Sequence, residues 1–104
     1  MHASIWKFTG NPDSLLASYD AMRAEIPTEN IRLHLCLRAP DGIVMVDTCP
    51  SREAFEQFAG GDAFRALRER HGLPIPAKLD DYPVHAAIAE GHVASGGPAS
   101  DTSP

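Results

Sequence analysis

Basic residues are scarce in this chain: nine lysines and arginines stand against fourteen aspartates and glutamates, for a formal net charge of −5. That balance argues against nucleic acid and against anionic membrane surfaces as partners. No apolar run approaches the roughly 18 residues that a membrane helix needs, and the polar N-terminal stretch is unlike a signal peptide. The expected location is the cytoplasm. Cysteine is nearly lacking, and Cys36 and Cys49 alone make no disulfide framework. A glycine-rich phosphate loop is missing, since Gly60-Gly61 follows no strand, and so is any serine-nucleophile motif. What the chain does have is 104 residues, 43% of them hydrophobic and arranged in periodic segments, without internal repeats. That suffices for one domain with a single modest core.

The most informative stretch is Ile31 to Cys49. Leu33, Leu35 and Leu37 alternate with Arg32, His34, Cys36 and Arg38, the period of a strand. Pro40-Asp41-Gly42 is a turn signal, and Ile-Val-Met-Val-Asp-Thr-Cys follows it, so a β-hairpin is expected. A two-residue loop at Pro40-Asp41 would set Ala39 opposite Gly42, Leu35 opposite Val46, Cys36 opposite Met45 and His34 opposite Asp47. Directly opposed side chains have Cβ atoms roughly 4.5–5.5 Å apart, within reach of an imidazole–carboxylate bond. A bulge at Gly42 would slip the pairing and part them. In this register Cys36 and Cys49 share a face but lie about 13 Å apart along it, too far to bridge.

The remaining elements follow in order. Ala3–Thr9 reads as a strand ended by Gly10. Asn11 suits a helix N-cap and Pro12 the first helical position, with Leu15, Tyr19, Met22 and Ile26 on one face and Pro27 as the stop. Ser51 is the expected cap of a second helix carrying Phe55 and Phe58. Asp62 is the expected cap of a third, carrying Phe64 and Leu67 and ending at Gly72. Tyr82–Ala89 is the expected last strand. Residues 1–90 are read as the domain, and 91–104, rich in Gly, Ser, Ala and Pro, as a disordered tail. The order β-α-β-β-α(α)-β is the ferredoxin-like α+β arrangement, an antiparallel sheet with helices on one face. One sheet row is apolar (Ile31, Leu33, Leu35, Leu37, Val44, Val46) and the other mixed (Arg32, His34, Cys36, Met45, Asp47, Cys49). Helices can cover only one, so the other is expected to be a dimer seam.

Beyond these patterns, the Asp-Gly turn followed by Val46-Asp47-Thr48-Cys49-Pro50-Ser51-Arg52-Glu53-Ala54-Phe55, then Asp62-Ala63-Phe64, resembles the dimeric α/β-barrel superfamily. It is most similar to the antibiotic-biosynthesis-monooxygenase-like branch, and Tyr19-Asp20, His34, Asp47 and Pro83-Val84-His85 resemble features of its small actinobacterial members. The resemblance covers roughly residues 3–89 and implies fold more than reaction. It implies a homodimer whose sheets pack face to face, with each pocket between a protomer's own sheet and helices. The mixed row would then line the pocket and the Leu/Val row the seam. The superfamily includes cofactor-free monooxygenases, polyketide cyclases, lactone isomerases and haem-degrading enzymes. The haem-degrading pattern has Trp at the position of Cys49 and an iron-ligating His near Arg68, and this chain departs at both.

A carboxylate beside an imidazole fixes its tautomer and makes it a better base near neutral pH. His34 is therefore the candidate base and Asp47 its orienter, or the pair is a structural hydrogen bond. Arg32 or Arg38 could stabilise an enolate or phenolate. His85 is a candidate second acid/base, or an ordinary strand histidine. Tyr19 and Trp6 are pocket walls or core residues, and Cys49 a further substrate contact. His34, Cys36, Asp47 and Cys49 are all metal-ligand types, but the separation of the cysteines forbids a shared ion, so no metal is expected. No organic cofactor is expected either. The functional expectation is acid–base catalysis on a small aromatic or polyketide-like metabolite: cyclisation, aldol-type condensation or isomerisation. The rivals are a cofactor-free monooxygenase on the same substrates and a non-catalytic metabolite-binding or accessory protein.

Overall fold

The structure is a computed structural model that describes residues 1–29, 31–89 and 92–95. Strand β1 (His2–Thr9) alternates strictly, burying His2, Ser4, Trp6 and Phe8 on one side. Helix α1 (Pro12–Arg23) starts as its sequence demands. The Asn11 side chain accepts from the Ser14 N–H at 3.0 Å, Pro12 fills the first turn, and Leu15, Tyr19 and Met22 are buried. The hairpin β2 (His34–Ala39) and β3 (Gly42–Cys49) turns on Pro40-Asp41 in the expected register, with His34 opposite Asp47 and Ala39 opposite Gly42.

Helix α2 (Arg52–Ala59) is capped by the Ser51 hydroxyl, which accepts from the Ala54 N–H at 3.1 Å. Helix α3 (Asp62–Arg70) corrects one expectation. Its N-cap is Gly61, and Asp62 is instead the first helical residue, its carboxylate 2.6 Å from Arg65 one turn on. Gly72, at φ +78°, turns the chain out of the helix.

A larger correction concerns the last strand. The fourth strand of the sheet is β4 (Lys78–Pro83), antiparallel to β1, and not Tyr82–Ala89. Ala87–Ala89 instead forms a short strand, β5, paired with β6 (His92–Ser95) in a separate two-stranded sheet. The alternation at Val84, Ala86 and Ile88 pointed too far along the chain. The open edge of β1 recruits the more polar segment, and Ala77 N–H to Lys7 O at 2.8 Å and Val84 N–H to Met1 O at 3.0 Å close its ends. The expected tail falls largely outside the described residues, and β6 lies within it.

The main sheet runs β2-β3-β1-β4, all antiparallel, which is the ferredoxin-like order. All three helices pack on one face, over a core of Trp6, Phe8, Ile43, Met45, Leu15 and Phe64 with their neighbours. The mixed row lies under the helices except for Arg32, which is exposed. On the opposite face Ile5, Leu33, Leu35 and Leu37 are exposed. Ile31 departs from its expected row. The ladder becomes irregular before His34, with both the Arg32 N–H and the Leu33 carbonyl bonded to Thr48, and Ile31 lines a cavity on the inner side. Among the described residues no helix is long and apolar enough to cross a membrane.

Candidate functional site

Strand pairing lays four polar residues side by side across the inner face. His34 on β2 is opposite Asp47 on β3, and Ser4 on β1 lies between Asp47 and Asp81 of β4. His34 Nδ1 pairs with Asp47 Oδ1, and His34 Nε2 is 2.5 Å from the Tyr19 hydroxyl. An ionised carboxylate only accepts, so Nδ1 carries the proton and donates it to Asp47. In the neutral imidazole Nε2 is then the acceptor, and the Tyr19 O–H donates to it. Burial is the main reason that the Tyr19 phenol titrates above its ordinary value, with Cys36 and Asp47 pushing the same way and Arg23 opposing. The hydroxyl therefore keeps its proton through the neutral range.

This geometry gives a Tyr19–His34–Asp47 relay with both histidine nitrogens occupied. His34 cannot meet a ligand directly while Tyr19 holds Nε2. Asp47 uses only Oδ1 toward His34, and it lines a cavity of about 80 Å³ together with Ser4, Ile31, Thr48, Cys49 and Phe55. The carboxylate is thus the member of the relay that borders the cavity. Cys49 sits beside it, its thiol donating to the Ser51 carbonyl at 3.2 Å. Burial raises the Cys49 and Cys36 thiols, so both stay protonated, and neither forms a disulfide.

The other expected site residues scatter. Trp6 is buried in the core, its indole N–H donating to Ser4 Oγ at 2.8 Å and its ring edge-on to Phe55, Phe58 and Phe64. Arg38 is exposed and pairs with Asp13 at the start of α1. Arg32 precedes β2 and is exposed. Neither arginine lines the cavity beside Asp47. His85 is exposed in the connection between β4 and β5, not mid-strand, and is likewise absent from that cavity. Among the described residues no three His, Cys, Asp or Glu side chains converge as a metal-ligand set.

One polar pair was missed. His2 is only 5% exposed, and its Nε2 lies 2.6 Å from Asp81 Oδ1, with the Arg52 Nε 3.9 Å from the same oxygen. The signal was the alternation of β1, which puts His2 in the row of Ser4, Trp6 and Phe8. Its place at the chain terminus, and the misplaced last strand, hid its partner.

A second cavity, of about 390 Å³, opens among the end of α1 and helices α2 and α3. Its walls include Pro27, Gln57, Phe64 and Leu67, and it shares Ala54 and Phe58 with the cavity beside Asp47. At its rim Glu25 pairs with both Arg70 and His71, tying α1 to α3.

No protein-family model and no curated protein matches the sequence. Solved structures do match. Rv0793 from Mycobacterium tuberculosis is similar with a TM-score of 0.58 at 24% identity, over 80% of this chain and 93% of that one. A putative antibiotic biosynthesis monooxygenase from Chloroflexus aurantiacus J-10-fl has the same TM-score, 0.58, at 14% identity, over 80% of this chain and 92% of that one. The chain has a ferredoxin-like α+β fold similar to those of Rv0793 and of the putative antibiotic biosynthesis monooxygenase, as the β-α-β-β-α(α)-β order led one to expect.

Proposed function

We propose that this protein is a cofactor-independent acid–base enzyme acting on a small aromatic or polyketide-like metabolite. The observation that carries the reading is the Tyr19–His34–Asp47 relay, with Asp47 at the wall of a cavity. Asp47 takes a proton from an acidic C–H or a phenolic or enolic O–H. His34, fixed by Tyr19, is a positioning residue that donates to the other carboxylate oxygen and stabilises its charge. The resulting enolate or phenolate cyclises, condenses or returns the proton elsewhere. The enzyme works as a homodimer joined through the Leu33–Leu35–Leu37 face.

The likeness in fold to a protein described as a putative antibiotic biosynthesis monooxygenase favours a second reading. There the same deprotonation comes first, and the carbanion, oxidised by dioxygen, forms a C–O bond to a hydroperoxide. The hydroperoxide takes up the proton and then loses water with the remaining hydrogen of that carbon, leaving one oxygen atom as a carbonyl. A thermal-shift screen of wild type, Asp47→Asn and His34→Gln against hydroxyaromatics and polyketones tests the shared step. A ligand at about a hundred times its dissociation constant adds roughly 2.7 kcal/mol of stability. Stabilised ligands are then assayed for turnover with and without oxygen. Turnover without oxygen supports the cyclase or isomerase reading, and strict oxygen consumption the monooxygenase. Binding without turnover in either condition makes the protein a metabolite carrier.

A further inference from the structure

The cavity beside Asp47 is too small for any aromatic substrate. At about 80 Å³ it holds two or three waters at roughly 30 Å³ each, whereas small-molecule sites run to about 300–1,000 Å³. The outer cavity, about 390 Å³, reaches that range but borders none of the relay residues. The two share Ala54 and Phe58, and only Phe58 has the bulk to separate them.

Phe58 is suited to move. It is half-buried in the last turn of α2, at the edge of the core, where it packs against two aromatic rings. Its ring lies 4.5 Å from Phe64 and, edge-on, 6.3 Å from Trp6. The outer walls suit flat rings: Phe64, Phe58, Pro27 and Leu67 are apolar, and Gln57 is the polar group among them. The inner end offers the Asp47 carboxylate and the Cys49 thiol, which suit a hydroxyl.

We propose that the two cavities are compartments of one ligand site, gated by Phe58, for a planar molecule of about two fused rings bearing a phenolic or enolic hydroxyl. The rings lie against Phe64 in the space that Phe58 vacates, and the hydroxyl reaches Asp47. The role of that hydroxyl rests on the acid–base reading above; the placement of the rings does not.

The chain has one tryptophan, Trp6, which touches the gate and so reports on it. The probes are 4-nitro-1-naphthol, with two rings, and 4-nitrophenol, with one. Both quench a nearby indole, and their phenolate absorption reports ionisation. In wild type the two-ring probe quenches Trp6 saturably and more tightly than the one-ring probe. Ala63→Phe, which fills the outer compartment from an exposed position, weakens the two-ring probe by about tenfold or more while circular dichroism stays native. Phe58→Ala tightens it by about tenfold, because no gate needs displacing. Equal affinity of the two-ring probe for wild type, Ala63→Phe and Phe58→Ala overturns the proposal. Asp47→Asn separates the two ideas. If the probe affinities of wild type, Ala63→Phe and Phe58→Ala follow the expected order but the bound probe ionises no differently in Asp47→Asn, the compartments stand and the acid–base reading fails.

Discussion

The Tyr19 hydroxyl lies 2.5 Å from His34 Nε2, and the two ring planes are within 4° of parallel. Tyr19 comes from α1 and His34 from β2, so this one bond fixes the helix to the sheet at the site. With the imidazole neutral, the phenol that keeps its proton donates to Nε2. Removing the hydroxyl in Tyr19→Phe leaves a half-buried ring nitrogen without its partner, at a cost of about 1–2 kcal/mol. Urea unfolding measures that loss. Binding of hydroxyaromatic ligands should fall less in Tyr19→Phe than in Asp47→Asn, because Tyr19 does not line the cavity.

The same phenol has a signature at alkaline pH. Its folded titration lies above the unfolded one, so its contribution is fully present below the ordinary tyrosine range and is lost as pH rises through the folded value. The stability of wild type should therefore decline in that range more steeply than that of Tyr19→Phe. The chain has only two tyrosines, and a Tyr82→Phe background leaves Tyr19 as the sole phenolate chromophore. Its ultraviolet titration should then lie above that of the urea-unfolded chain.

How far the sequence spoke differs from element to element. The hairpin was legible because Pro40-Asp41 reads as a two-residue loop, and that loop length without a bulge at Gly42 sets Leu35 opposite Val46 and His34 opposite Asp47. Gly42 anchors it. At φ +158°, a Cβ there would run into the Phe8 carbonyl oxygen of the neighbouring strand. Strand β4 was illegible because nothing local marks Lys78–Pro83 as a strand. Two adjacent aspartates and a proline argue against one. Its pairing comes from the free edge of β1, and its inward Asp81 is tolerated because His2 bonds to it. The relay was half legible. Register gave His34 and Asp47, but Tyr19 joined them only through the packing of α1, which no spacing announces.

Gly42→Ala should accordingly be severe. The added methyl forces β1 and β3 apart at their Thr9–Gly42 end and strains the backbone, a loss of roughly 3 kcal/mol or more. Denaturant midpoints give the size of the effect. A loss under about 1 kcal/mol would show that the hairpin relaxes around the methyl instead.

Acid should loosen the tie between α1 and α3. The Glu25 carboxyl is held below the usual range chiefly by its hydrogen bond with His71, with Arg70 adding to it and desolvation opposing. A depressed carboxyl stabilises the fold above its unfolded value and loses that effect as pH falls through the folded one. The melting temperatures of wild type and Glu25→Gln should thus differ most near neutrality and converge as pH drops past the carboxylate range. Such pairs are salt-sensitive at an exposed rim, so raised ionic strength should narrow the gap at every pH.

The outer face of the sheet makes the strongest demand on a partner. Leu35 and Leu37 are 44% and 46% exposed, and Ile5 and Leu33 continue the same apolar surface. Charging it touches none of the helix-covered core, so Leu35→Asp with Leu37→Lys should leave the circular dichroism spectrum native. If a second copy covers this face, wild type sediments at twice the 11.2 kDa chain mass and the variant at the single mass. Its melting temperature should also depend on protein concentration only in wild type, because mass action stabilises a dimer and not a monomer. A wild type that sediments as a monomer, with a melting temperature unmoved by dilution, would remove the homodimer while leaving the relay as it stands. The relay is built from α1, β2 and β3 of one chain, and no residue of it lies on that face.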